Sequence, residues 1–171
     1  MKKIKKTKKD EKTKVKKTNA KESQKESSFA CEHCYKSVNL HEQIGTKHRN
    51  HCPFCLWSKH VDNQIGDRKS SCCGIMEPVG LTLRKEAKKK KYGEKGEKLG
   101  EIMIIHLCTL CGAIRINRIA SDDDERQISY IFEKSIHLEE ELLEKIKDQK
   151  IDLLLDKDIF NEKMFGNSFI D

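Results

Sequence analysis

Three Cys-x-x-Cys pairs in one stretch, few aromatic side chains and a helical apolar period confined to the last third predict a small α+β domain stabilised by metal, with C-terminal helices. A length of 171 residues suits one compact domain with extensions. Aromatic residues make up only 6% of the chain, so side chains alone build a small core, and bound metal is the expected substitute.

The net charge of +7 is unevenly spread. Residues 1–28 carry 12 lysines against 4 acidic residues, a net of +8. So few apolar residues accompany them that the segment is read as a disordered leader. Flexible lysine clusters neutralise phosphates without reading sequence, and they also simply solvate a chain. No apolar h-region follows these lysines, so the leader is not read as a secretory signal. No apolar run is long enough to cross a bilayer. A cytoplasmic, reducing setting is therefore expected, in which eight cysteines serve as ligands and not as disulfides.

Cys31–Cys34, Cys52–Cys55 and Cys108–Cys111 are the three pairs, all within 81 residues, with an adjacent doublet at Cys72 and Cys73. A two-residue gap lets both thiolates of a tight turn reach one tetrahedral ion. One pair alone is weak, because redox proteins use it too. Three pairs without a thioredoxin-like βαβ pattern point to zinc, and the thiolate count suits two ions. The simplest pairing joins Cys31, Cys34, Cys52 and Cys55, with 17 residues between the pairs. The second site then draws on Cys72, Cys108 and Cys111 with His106 or His60 as fourth ligand, since Cys73 is too close to Cys72 for both to coordinate. An interleaved arrangement remains open, with Cys31, Cys34, Cys108 and Cys111 on one ion and Cys52, Cys55, His60 and Cys72 on the other. Hairpins between such turns give a zinc-ribbon-like or treble-clef-like architecture. Closed sites of this kind are structural, with no position left for activating water.

Val79–Leu83 and Glu101–Leu107 read as strands flanking a glycine-containing loop whose tip carries Lys88 and Lys89. Residues 126–171 have a net charge of −4. In them Ile128, Ile131, Phe132, Leu138, Leu142, Leu143 and Ile146 recur at helical spacing, and Ile151–Leu155 with Ile159 and Phe160 suggests another helix. Packing onto the metal domain is the expected use of these helices, and docking of a protein partner the other. Asp122, Asp123 and Asp124 are expected to form an acidic turn or the N-cap of the first helix.

Between the ligands stand His48-Arg49-Asn50-His51-Cys52-Pro53 and Cys111-Gly112-Ala113-Ile114-Arg115-Ile116-Asn117-Arg118. On these strings the chain resembles the RNHCP domain family from about Phe29 to Asp124. The resemblance implies a zinc fold over 29–125. It also implies that Cys72 ligates while Cys73 does not, and that His106 falls on a motif position. Two departures are a lysine-rich insertion after Leu83 and Tyr35 where a glycine often follows the first turn.

The resemblance implies no reaction. The chemistry of the residues ranks three readings. First comes a non-catalytic module that binds nucleic acid, RNA or the ribosome, through His48, Arg49, Asn50, His51, Arg118, Lys88 and Lys89, with Phe54 or Trp57 able to stack on an unpaired base. Second is an HNH-like treble-clef nuclease using His48, Asn50 and His51. Third is a protein-interaction scaffold. Trp57 is expected to serve the core more than to stack. Seven bound thiolates with two dications bring residues 29–125 from +3 to about neutral, so nucleic-acid affinity has to come from local patches and flanking lysines.

Overall fold

Antiparallel hairpins built from short strands place the cysteines at their tips. The computed structural model describes residues 27–40, 49–64, 66–84 and 100–166. The leader up to residue 26, His48, Lys88 and Lys89 lie outside the described residues. Strands β1 (Ser27–Ala30) and β2 (Ser37–Leu40) form a separate hairpin. Strands β3 (Ser58–Lys59), β4 (Ile75–Leu83), β5 (Ile102–Cys108) and β6 (Ile114–Arg118) form a four-stranded antiparallel sheet in chain order. Helices α1 (Glu125–Ser135), α2 (Glu140–Asp148) and α3 (Lys157–Phe165) follow.

β5 has an unbroken apolar run instead of an alternating one because both its faces are buried. On one face Ile102 and Ile104 pack with Leu81, with Ile128, Ile131 and Phe132 of α1, and with Phe160 of α3. The rings of Phe132 and Phe160 stack at 4.2 Å. On the other face Ile105, Val79 and Ile114 meet Ile146 of α2. Each such fully buried side chain contributes roughly 1.5–3 kcal/mol. Helical packing onto the metal domain is thus what these apolar positions do.

The helical period breaks at residues 136–139, so the last third holds three helices. Ile151–Leu155 is extended, not helical. Leu153 bridges Thr82, and Leu154 N–H donates to the Leu81 carbonyl, so this segment covers the part of β4 that β3 is too short to reach. Its approach is close: a Cβ on Gly80 would lie 2.8 Å from Leu153 Cδ2. The register of β4 against β5 shifts between Pro78 and Gly80, a bulge at the residue type that cannot donate to a ladder. Asp124 caps α1 through its carboxylate on the Arg126 N–H, and Asp156 caps α3 the same way.

Candidate metal centres

The three Cys-x-x-Cys turns share one backbone form. In each, the N–H four residues after the first cysteine donates to that cysteine's carbonyl, and the first cysteine's N–H donates to the carbonyl five residues on. All six bonds measure 2.8–2.9 Å. The fourth-on residue is left-handed every time: Tyr35 (φ 60°), Leu56 (φ 60°) and Gly112 (φ 70°). Only the third turn has the residue type that adopts this conformation without cost. Tyr35 and Leu56 pay about 1–2 kcal/mol each.

A fourth turn of the same kind is split across the chain. His60 N–H donates to the Gly74 carbonyl at 2.8 Å and Cys73 N–H to the His60 carbonyl at 3.1 Å, with Cys73 left-handed at φ 51°. His60 thus occupies the place of the first cysteine, Cys72 that of the second, Cys73 that of the left-handed residue and Gly74 the one after it. The usual gap of two residues is replaced by the 11 residues between His60 and Cys72. β3 and β4 make this possible, because Lys59 pairs with Ile75 and sets His60 opposite Gly74.

Two turns meet at each of two donor clusters. Cys31, Cys34, Cys52 and Cys55 form the first, and His60, Cys72, Cys108 and Cys111 the second, with the donor atoms of each cluster within 4.8 Å of one another. Sγ atoms stand 3.6 Å apart in the Cys31–Cys55, Cys34–Cys52 and Cys72–Cys108 pairs, and His60 Nδ1 lies 3.3 Å from Cys111 Sγ. Four sulfurs at 2.3 Å from a tetrahedral ion would be about 3.8 Å apart, so the spacing fits a metal and not a disulfide. Both clusters can hold a metal ion, and their donor sets are those of zinc.

The thiols are prepared for the charged state. The Cys55 thiol, followed by the N–H groups of Phe54 and Cys55, pulls Cys52 down to about 5 against the effect of burial. Burial raises Cys108, but the N–H groups of Cys111 and Leu110 outweigh it and hold the thiol below its usual range. Gly74 is required for space: a Cβ there would lie 2.8 Å from Leu110 Cβ and 3.0 Å from Cys108 Sγ.

His106, expected as a ligand, is not one. It is fully buried, and burial pushes its ring down to about 3, so it is neutral. Nε2–H donates to the Leu56 carbonyl at 2.7 Å, and Nδ1 accepts from Asn117 Nδ2 at 3.2 Å. Both ring nitrogens are therefore used within the protein. His60, the other histidine considered, takes the fourth position. The interleaved pairing is not adopted, and Cys73 is exposed and outside both clusters.

Arg49 and His51 sit inward instead of forming a donor-rich surface. Arg49 is bidentate to Asp122 at 2.7 and 2.5 Å and reaches Asp123 at 2.8 Å. His51 Nε2 lies 3.0 Å from Asp123, whose carboxylate also accepts from Ala120 N–H. Arg49, His51 and Asp123 are almost fully buried. Asp124 N–H adds a bond to the Pro53 carbonyl at 2.9 Å, so the start of α1 is tied to the second turn. Asp122 and Asp123 thus answer the cation of the Arg49–Cys52 string, a pairing across 73 residues that no local pattern signals.

Arg49, Asn50, His51 and Arg118 nevertheless come together along one open cleft of about 1120 Å³, which Lys59 and Arg115 also line. Arg118 is exposed and donates to Glu101 at 2.6 Å, while Asn50 is half-buried and donates to Asp62. Trp57 is half-buried and not in the core; its ring stacks flat on His33 at 4.0 Å. Among the described residues, no helix is long and apolar enough to cross a membrane.

No curated protein and no solved structure matches the chain. The family model of the RNHCP domain matches residues 26–129, which take in all four turns, both clusters and the Arg49–Asp123 pairing. The chain therefore belongs to the RNHCP domain family.

Proposed function

We propose that the protein is a non-catalytic zinc-binding module that binds nucleic acid, with RNA or a ribosomal surface as the target. The observation that carries this reading is the closure of both clusters, each with four protein donors gathered within 4.8 Å. Zinc so held has no open position for water or substrate, and its contribution is folding energy. What the ions hold rigid is then the functional part. Lys59, Arg115 and Arg118 with Asn50 and Asn117 line the cleft beside the second cluster. The leader adds a net +8 immediately before β1. Cations and amides together suit phosphate and base edges.

Burial narrows the contact set: Arg49 and His51 serve the Asp122–Asp123 turn, which leaves Asn50 and Arg118 from the same strings. It also removes support for the nuclease reading, since His51 is committed to Asp123 and faces no open metal position.

Ultraviolet crosslinking of the full chain to RNA in cells, with recovery of the bound fragments, tests the reading. Enrichment over an uncrosslinked control is expected. No recovered RNA, together with no binding of the purified chain to RNA at low salt, would overturn it. Strand cleavage in Mg²⁺ that is lost in His51→Ala would restore the enzyme.

A further inference from the structure

The two turns around the first cluster are related by a local pseudo-twofold, and their side chains cross it reciprocally. The second residue after Cys31, His33, stacks on Trp57, the fifth after Cys52, with ring centroids 4.0 Å apart and planes within 5°. The second residue after Cys52, Phe54, in turn carries Lys36, the fifth after Cys31, with Nζ 4.5 Å from its ring centroid. Each turn thereby lends the other one planar group.

The left-handed residues break this symmetry. Leu56 is fully buried and joins the core cluster beneath the sheet. Tyr35, its counterpart, has no core to enter and is 84% exposed, while Phe54 is 43% exposed. Tyr35 thus presents an aromatic ring to solvent, at a backbone position that disfavours it, with nothing among the described residues packed over it. His33 and Lys36 are exposed beside it. Lys59 pairs with Glu32 of the first turn and also lines the cleft described above, so the two surfaces adjoin.

We propose that this outer face, with Tyr35, Phe54 and the His33–Trp57 stack as its planar groups and Lys36 and Lys59 as its cations, is a stacking platform for unpaired bases of single-stranded nucleic acid. This rests on the nucleic-acid reading and specifies its ligand. Exposed planar rings interleaved with cations suit bases and phosphates together, because every base has a π-face and every linkage a charge. A duplex keeps its bases stacked on one another and offers these rings nothing. The lysines supply salt-dependent affinity, and the rings supply a part that salt does not screen.

The test uses the full metal-loaded chain, with its single tryptophan as an internal probe. Binding of a fluorescein-labelled oligoadenylate, of its deoxy counterpart and of a duplex of equal length is followed by anisotropy, and Trp57 emission is followed on the unlabelled strands. Preference for single strands, with quenching of Trp57, is expected. Tyr35→Asn keeps the left-handed backbone accessible and removes the ring. It and Phe54→Ala are each expected to weaken single-strand binding by about tenfold at unchanged metal content. Tyr35→Phe is expected to bind as the parent does. Equal loss for duplex and single strand, or ring variants that bind like the parent without quenching, would overturn the platform and leave the nucleic-acid reading standing. Failure of the parent chain to bind any of the strands would overturn both. Tighter binding of the ribo- or the deoxy-strand would identify which source of unpaired bases the platform prefers.

Discussion

His106 donates its Nε2–H to the carbonyl of Leu56 across 2.7 Å, and so ties the strand that leads into Cys108 to the turn that ends at Cys55. The two clusters are coupled through a neutral, buried imidazole that ligates neither. Leu56 is left-handed, and without that donor its carbonyl would be buried without a partner. His106→Gln is therefore expected to destabilise the loaded protein by about 1–3 kcal/mol in chemical denaturation. The number of bound metal ions should stay the same. Loss of one ion would return His106 to the ligand set.

His60 carries the opposite expectation. His60→Ala removes the fourth donor of the second cluster and should leave one tightly held ion, that of the four cysteines. His60→Cys restores a four-donor set and should bind two ions again. Native mass spectrometry reads both outcomes directly. Two tightly held ions in His60→Ala would show that the split turn does not hold metal through its histidine.

Gly74 tests the space around that cluster. Its missing Cβ is what lets Leu110 and Cys108 approach. Gly74→Ala should speed metal release from the second site to a chelator and leave the slow phase of the first unchanged. A single unchanged rate for both ions would show that the neighbours absorb the methyl group.

Asp122 gives a pH dependence. The Arg49 guanidinium holds its carboxyl below the usual carboxylate range, although burial acts the other way. A carboxyl lowered in the folded state contributes stability above its unfolded value, near 3.9, and that contribution is lost as the pH falls through the lowered value. Asp122→Asn should therefore be less stable than the parent near neutrality, with the gap narrowing below about pH 4. Loss of metal in acid is common to both proteins and cancels in the difference. A gap that is constant with pH would mean that Asp122 contributes packing and not charge.

The pairing of Cys31 and Cys34 with Cys52 and Cys55 was legible in the sequence because each turn is local and the intervening hairpin is short. The strands on either side of the lysine-rich loop were legible for the same reason. His60 was only half legible. The backbone bonds that make His60 and Cys72 one turn exist only once β3 lies beside β4, and an 11-residue interruption erases the spacing that marks the other three. His106 attracted the ligand role because it stands two residues before Cys108, yet strand alternation points it away from that cluster and under Leu56. Arg49 and His51 looked like surface donors because their carboxylate partners lie 72–74 residues further on. Asp122 and Asp123 were read as a turn, which they are, but the buried cation they face was not foreseeable from spacing. Ile151–Leu155 looked helical by composition, and an open length of β4 recruited it as an extended cover.

The central claim is that seven cysteines and one histidine close two four-donor centres and leave Cys73 outside. Native mass spectrometry of the full chain before and after mild alkylation tests it most directly. The expected result is two bound Zn²⁺ and one alkylated thiol, with that alkylation absent in Cys73→Ser. One ion, or several thiols that react while metal is bound, would contradict it.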